Sequence, residues 1–327
     1  MENDKNDLLS YILPTPPAPT PPIVAPLKDP LLPANVMDEN QARMVSDENF
    51  RTRVNTYIAL NKPKLYILTP CYGSVVYTSY MTCLINTIAL FQLYGFKLKY
   101  EICNNDSLVP RARNNLIARA MNDPEMTHML FIDADISWDP LDVLRLVLDN
   151  KPIVGGIYPL KHYFFEKLQA YEANPVNIVG DWVNKKRNSA VLSGIGGTDT
   201  DFVVSNLLNY NVNYISNNIQ IDKSLIKIRH LATGFMMIKR GAIENMAKAF
   251  PSTKYVDDVS FLRGTENDFA YALFDCGVEN GHYFSEDWLF CHRWTQMGGD
   301  VYCNISINLV HIGIEHYKGS LACSLLS

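Results

Sequence analysis

The chain has 327 residues, 47% of them hydrophobic and 19% charged, with a net charge of −5 and a pI near 5.8. That is enough apolar material for a substantial core, in one large domain or two modest ones. It gives no general attraction to phosphate backbones, and no Lys/Arg-rich run marks a nucleic-acid partner.

The opening MENDKND is acidic where a signal peptide would be basic, and no apolar run approaches the ~20 residues of a membrane helix. Seven cysteines with no CxxC pair argue for reduced thiols, and against a zinc cluster or a disulfide framework. A cytoplasmic protein without a membrane span is expected.

Nine of the 18 prolines fall between Pro14 and Pro33. Each removes an amide donor and fixes φ, so residues 1–45 are expected to form an extended, solvated arm with no core of its own. A plain spacer and a tether to another protein or particle are its two readings.

Residues 46–327 then form one domain. Met37 to about Leu60 is polar and helix-compatible. KLYILTPCYG reads as a strand, Leu65–Leu68, ending in a turn at Pro70 and Gly73, with a helical stretch following to about Tyr94. KLKYEIC is a second strand. DSLVPRARNNLIARAMND is a helix, with Ser107 placed to cap it, Pro110 in the first turn and Leu116, Ile117, Ala120 and Met121 on one face. MLFIDADISWDP is a third strand, with no wet face over Leu130–Ile132. Asp139-Pro140 starts a helix carrying Leu141, Leu144, Val147 and Leu148, and PIVGGIYP is a fourth strand. This alternation predicts an α/β fold with a doubly wound, mostly parallel sheet. From 160 to 225 the text is rich in Asn, Gly and Ser and predicts an irregular excursion. Strand and helix return over HLATGFMMIKRGAIENMAKAF. A helix from about Glu286 to Met297, a Gly-Gly turn and β-rich text ending in His311 complete the chain.

Asp133 and Asp135, one residue apart at a strand's carboxyl end, suit a hard divalent cation that bridges to phosphate. The competing reading has one acid capping the next helix and the other solvated. Ligands of open α/β sheets bind at that edge.

Taken in order, LYILTPCYG, NNDSLVPRARNNLIARA, HMLFIDADISWDPLDVLRLV, GGIYPLK, ATGFMMIKR, FSEDWLFCHRW and LVHIG resemble glycosyltransferases of the GT-A fold. The likeness is greatest to family-2-like enzymes of bacteria, phages and large DNA viruses. It covers roughly 64 to 320, weakly in the excursion and not in the arm. It implies a Rossmann-like central sheet flanked by helices, with a nucleotide-sugar half at about 64–160 and a smaller β-rich acceptor half at about 226–320. It also implies Mn²⁺ or Mg²⁺, a nucleotide-diphosphate sugar donor (a uridine one is the guess) and a glycan or protein acceptor. A viral source would make the location host cytoplasm or virion.

Carried over by motif, Thr69, Pro70 and Tyr72 face the nucleotide. Asp106 contacts base or ribose with Arg111 and Arg113 nearby, though a solvated helix face explains both arginines equally well. Asp133 lies near ribose and metal, with Ala134 in the same donor-binding stretch; Asp135 binds the metal, and His311 adds a ligand. His316 is the weaker alternative, and a hydrogen-bonded core histidine is the plain reading of His311. Gly234 lets sugar or acceptor approach the backbone, or simply permits close packing in a strand. Asp287 is the expected general base, with Glu286 orienting the acceptor or exchanging roles with it. A Ser285 cap with acids in the first helical turn would explain the same residues structurally. Trp288 and Trp294 are candidates for stacking on a sugar ring or for the core.

Two other functions fit parts of the pattern. A haloacid-dehalogenase-like phosphatase also uses a strand-end DxD, with the first Asp as nucleophile. It wants Thr or Val close after the second Asp, whereas Ile136-Ser137 follows here, and Asp257-Asp258 lies in polar text. The other is a non-catalytic relative that binds the nucleotide sugar.

Overall fold

The computed structural model describes residues 48–169, 175–189 and 198–325, so the proline-rich arm lies outside the described residues. In chain order the elements begin with α1 (Glu48–Asn61), β1 (Lys64–Cys71), α2 (Thr78–Tyr94), β2 (Lys97–Asn104), α3 (Val109–Met121), β3 (His128–Ile132), β4 (Ile136–Ser137), α4 (Pro140–Asp149), β5 (Ile153–Gly155) and β6 (Pro159–Tyr163). There follow α5 (Pro175–Asn188), α6 (Asp199–Leu207), β7 (Leu208–Tyr210), β8 (Val212–Tyr214), β9 (Ile221–Asp222), β10 (Leu225–Leu231), β11 (Phe235–Lys239) and α7 (Arg240–Ala249). The chain closes with β12 (Gly277–Glu279), β13 (His282–Phe284), α8 (Glu286–Gln296), β14 (Val301–Asn304), β15 (Val310–Ile312), β16 (His316–Lys318) and α9 (Leu321–Leu325).

The fold is α/β. A nine-stranded mixed sheet runs in the order β2-β1-β3-β11-β5-β14-β10-β8, with β9 paired to β10. β1 is parallel to both β2 and β3, and β5 is parallel to β14. The mostly parallel sheet expected from the alternation is interrupted by β11, which lies antiparallel between β3 and β5. Its text, FMMIK, is buried over its first four residues. An apolar run of that kind announces a strand covered on both faces without stating its direction or its neighbours.

The helix starts show local chemistry at work. Asp139 caps α4 by accepting from the Leu141 amide, as the sequence predicts. Ser107 does not cap α3; the Asp106 carboxylate accepts from the Leu108 amide instead, at 3.0 Å. The interval 160–225 is not irregular throughout, since α5, α6 and short strands occupy its described parts. Thr198 and Asp201 close a reciprocal capping box at the start of α6.

The main core joins β3 to α8. Phe274 stacks on Phe290 of α8 at 4.1 Å between ring centroids and meets Phe131 of β3 edge-on at 5.5 Å. Among the described residues no helix is long and apolar enough to cross a membrane. All seven cysteines are unpaired.

One buried titratable group ties the sheet's stability to pH. His128 opens β3 almost fully buried, its ring nitrogens paired with Thr127 Oγ1 at 2.8 Å and Tyr57 Oη at 3.3 Å. Burial, helped by Lys239, pushes its pKa down to about 4 from an ordinary value of 6.5. The unfolded chain therefore takes the proton first, so this stability is complete above about pH 6.5 and is lost as pH falls toward 4. Denaturant unfolding at stepped pH should show the wild type losing about 3 kcal/mol by pH 4 that His128→Gln does not lose. Equal losses in the two proteins would refute the assignment.

Candidate functional site

α3 is buried on more than its apolar stripe, and the reason is Arg113. The residue is 4% exposed, and its guanidinium donates from Nη2 to Asp133 Oδ1 at 3.0 Å and holds Nε 3.5 Å from Glu286 Oε1. Nε and Nη1 are buried without a hydrogen-bond partner of their own. The guanidinium carbon lies 5.3 Å from the centre of the Phe131 ring. Burial opposes the charge, yet Asp133 and Glu286 outweigh it and hold the guanidinium's pKa above its ordinary value. The solvated-face reading of Arg113 is thereby removed. Next to it, Asn114 donates to the Phe274 carbonyl at 2.6 Å and accepts from the Phe274 amide at 2.9 Å. The two contacts lock α3 to the segment that precedes β12.

Asp133 and Asp135 turn to different partners. The Asp133 amide donates to the Gly234 carbonyl at 3.1 Å, and its side chain goes to Arg113. After Asp135, β4 pairs with β15, which sets His311 opposite Ile136, and the Ile312 amide donates to the Asp135 carbonyl at 2.8 Å. His316 is carried away on β16, exposed and paired with Ile312, so His311 is the histidine beside the acids.

His311 Nδ1 lies 2.9 Å from the Pro159 carbonyl oxygen, and its Nε2 lies 3.5 Å from Asp135 Oδ2. A carbonyl can only accept, so Nδ1 carries a hydrogen and Nε2 is the ring nitrogen that faces the carboxylate. Lys161 Nζ reaches the same Oδ2 at 2.5 Å. Burial pushes the Asp135 carboxyl up, but His311 and Lys161 outweigh it and hold its pKa below the ordinary range.

A carboxylate oxygen and an imidazole nitrogen facing one another, with the histidine's other nitrogen fixed by a carbonyl, are the side-chain types and the orientation that a divalent ion uses. Asp135 and His311 fit such an ion. Among the described residues no three His, Cys, Asp or Glu side chains gather as a metal cluster, and Asp133 is held by Arg113.

The remaining predicted residues divide. Asp106 and Arg111 form a two-pronged pair, at 2.9 Å from Nε and 2.7 Å from Nη2. Burial raises the Asp106 pKa, and Arg111 with the Leu108 amide lowers it further than that, below the ordinary value. Tyr72 is exposed and Pro70 half-buried, but Thr69 is fully buried and spends its hydroxyl on Tyr80 Oη at 2.5 Å. The Ala134 carbonyl accepts from the Tyr77 amide at 3.3 Å, tying the turn to the start of α2. At Gly234 a Cβ would lie 2.7 Å from the Tyr158 ring, so a tyrosine fills the approach that was reserved for sugar or acceptor.

In α8, Glu286 pairs with Arg113. Asp287 Oδ1 accepts from the Ser285 hydroxyl and, at 2.8 Å, from the Trp288 amide, so Ser285 serves the aspartate and makes no side-chain cap. Trp288 stacks on His230 at 4.6 Å and 13° and is part-exposed, whereas Trp294 is core, its indole N–H donating to the Asp300 carbonyl.

Tyr158 and Lys161 are site residues that the sequence reading gave no role, although both stand in GGIYPLK. A cavity of about 390 Å³ lies between α3 and the segment from Tyr255 to Cys276, with Leu108, Pro110, Arg111, Asn114, Tyr255 and Phe274 among its walls.

No family model matches the chain, and no curated protein does. Among solved structures it is similar to one titled "Crystal Structure of A197 from STIV", at 14% identity and a TM-score of 0.38 over 76% of this chain and 86% of that one. That is a distant likeness, and the roles argued below rest on this chain's own residues.

Removing the buried guanidinium leaves two carboxylates without their shared counter-charge. Arg113→Met should lower unfolding free energy by about 2 kcal/mol, discounted from the cost of breaking a fully buried pair because Asp133 is part-exposed. Denaturant titration reads this directly; a change below about 0.5 kcal/mol would mean that the pair is incidental.

Proposed function

We propose that the chain is a cation-assisted glycosyltransferase of the GT-A type, moving a sugar from a nucleotide-diphosphate donor, a uridine one in the first instance, to an acceptor hydroxyl on a glycan or protein. The observation that carries the reading is Arg113, which draws an acid of the donor-side strand, Asp133, and an acid of the acceptor-side helix, Glu286, onto one buried cation. A reaction that passes a group between two substrates needs its two half-sites at that kind of distance.

Asp135 and His311 are the residues that would hold Mn²⁺ or Mg²⁺, with Asp133 adjacent. When bound, such an ion supplies a Lewis acid against the charge growing on the departing diphosphate. The chain's residues do the rest. Arg111, held by Asp106, borders the cavity whose apolar walls, Leu108, Pro110 and Phe274, suit the flat base of a nucleotide. Tyr158, packed against Gly234 and edge-on to the His311 ring at 4.9 Å, keeps water from the floor of the site.

Asp287 takes the acceptor's proton. Its Oδ1 is held by Ser285 and by the Trp288 amide, which leaves Oδ2 as the oxygen able to receive a hydrogen as the acceptor oxygen attacks. Glu286, engaged by Arg113, orients the acceptor while the guanidinium fixes the charge balance around it.

A screen of nucleotide sugars with Mn²⁺ tests the reading. One donor should be bound and turned over by the wild type. Asp135→Asn should lose the metal-dependent part, and Asp287→Asn should lower kcat about 10²- to 10⁴-fold with donor affinity kept. Phosphatase activity without nucleotide-sugar binding would sink it.

A further inference from the structure

Beside the expected metal ligands stands a cation that belongs to the chain. Lys161 projects from β6, whose Pro159 carbonyl also orients the His311 ring, so one short strand sets up both partners of Asp135. Its ammonium and the His311 Nε2 address the same carboxylate oxygen, Oδ2. The stem is seated: a Cβ on Gly313 would lie 3.0 Å from Lys161 Cδ, 3.6 Å from Cε and 3.7 Å from Cγ, so the missing side chain makes the groove in which the lysine lies.

Resting on the cation-assisted reading above, we infer that Lys161 is a resident counter-ion that competes with a divalent cation for Asp135 and so sets the affinity of the site for metal. An ion bound between Asp135 Oδ2 and His311 Nε2 needs the oxygen that Nζ already holds, and like charges that close repel strongly in a part-buried setting. The ammonium is a point charge on a flexible stem and its side chain is 36% exposed, so it can leave Asp135 when an anion offers a better partner. A metal ion that arrives alone has to displace it.

The test is Mn²⁺ binding to the full chain, read from the electron paramagnetic resonance signal of free Mn²⁺ with no donor present. Lys161→Met and Lys161→Gln should each bind Mn²⁺ at least ten-fold tighter than the wild type. Lys161→Arg, which keeps the charge, should stay within about three-fold of it. Adding Asp135→Asn to Lys161→Met should abolish the gain. Equal or weaker binding in both neutral variants overturns the inference, and so does an absence of Mn²⁺ binding in all of them. Because no nucleotide sugar enters this measurement, its failure is separable from failure of the donor screen.

Discussion

The site depends on a guanidinium buried between two carboxylates. Taking Arg113 out of water costs several kcal/mol in general, and only close anions with good geometry offset that. Asp133 supplies a hydrogen bond at 3.0 Å and Glu286 a charge at 3.5 Å, while Phe131 presents its ring beneath. One residue thus fixes the relative positions of β3, α3 and α8. The same helix is pinned to the Phe274 backbone through Asn114, so the early and late parts of the sheet domain are joined by polar contacts as well as by the Phe131, Phe274 and Phe290 cluster. Polar groups buried this deeply are specific in a way apolar contacts are not, because a shifted register would leave them unpaired.

A second constraint is smaller and equally local. Two residues of β4, straight after Asp135, pair with β15 and bring a histidine from far along the chain to the carboxylate. Slipping that pairing by one residue would turn His311 to the opposite face, since side chains alternate along a strand. The Ile312 amide on the Asp135 carbonyl and the Pro159 carbonyl beside His311 Nδ1 hold the register from both sides.

Most of the scaffold from β1 to β5 is legible in sequence because its signals are local. Asp139-Pro140 announces the start of α4, the five-residue run of β3 announces a strand covered on both faces, and the leucines of α4 fall at helical spacing. The antiparallel insertion of β11 is not legible, since an apolar run carries no mark of strand direction. Nor is the fate of Thr69, whose hydroxyl could as well have met a ligand as Tyr80. Gly234 illustrates the limit in another way: a glycine signals that something comes close, and whether that is a sugar or Tyr158 depends on a residue 76 positions earlier, a separation no local pattern carries. Lys161 is ambiguous for the opposite reason. Surface lysines are common, and it takes the placement of β6, paired with β7, to show this one on Asp135.

The charge balance of the assembled site bears on its chemistry. Asp133, Asp135, Glu286 and Asp287 put four carboxylates into one region, against two cations of the chain, Arg113 and Lys161. An excess of negative charge repels a diphosphate, and in a part-buried site the repulsion is not screened as it would be at the surface. A donor of that kind needs additional positive charge to enter, and a divalent ion at Asp135 and His311 would bring the region to neutrality. A bound diphosphate would offer Lys161 oxygens in place of the carboxylate it would give up. Arg113 has no such freedom. Its stem is buried and its two acids lie on different elements, so it stays as the fixed point around which mobile charge is exchanged.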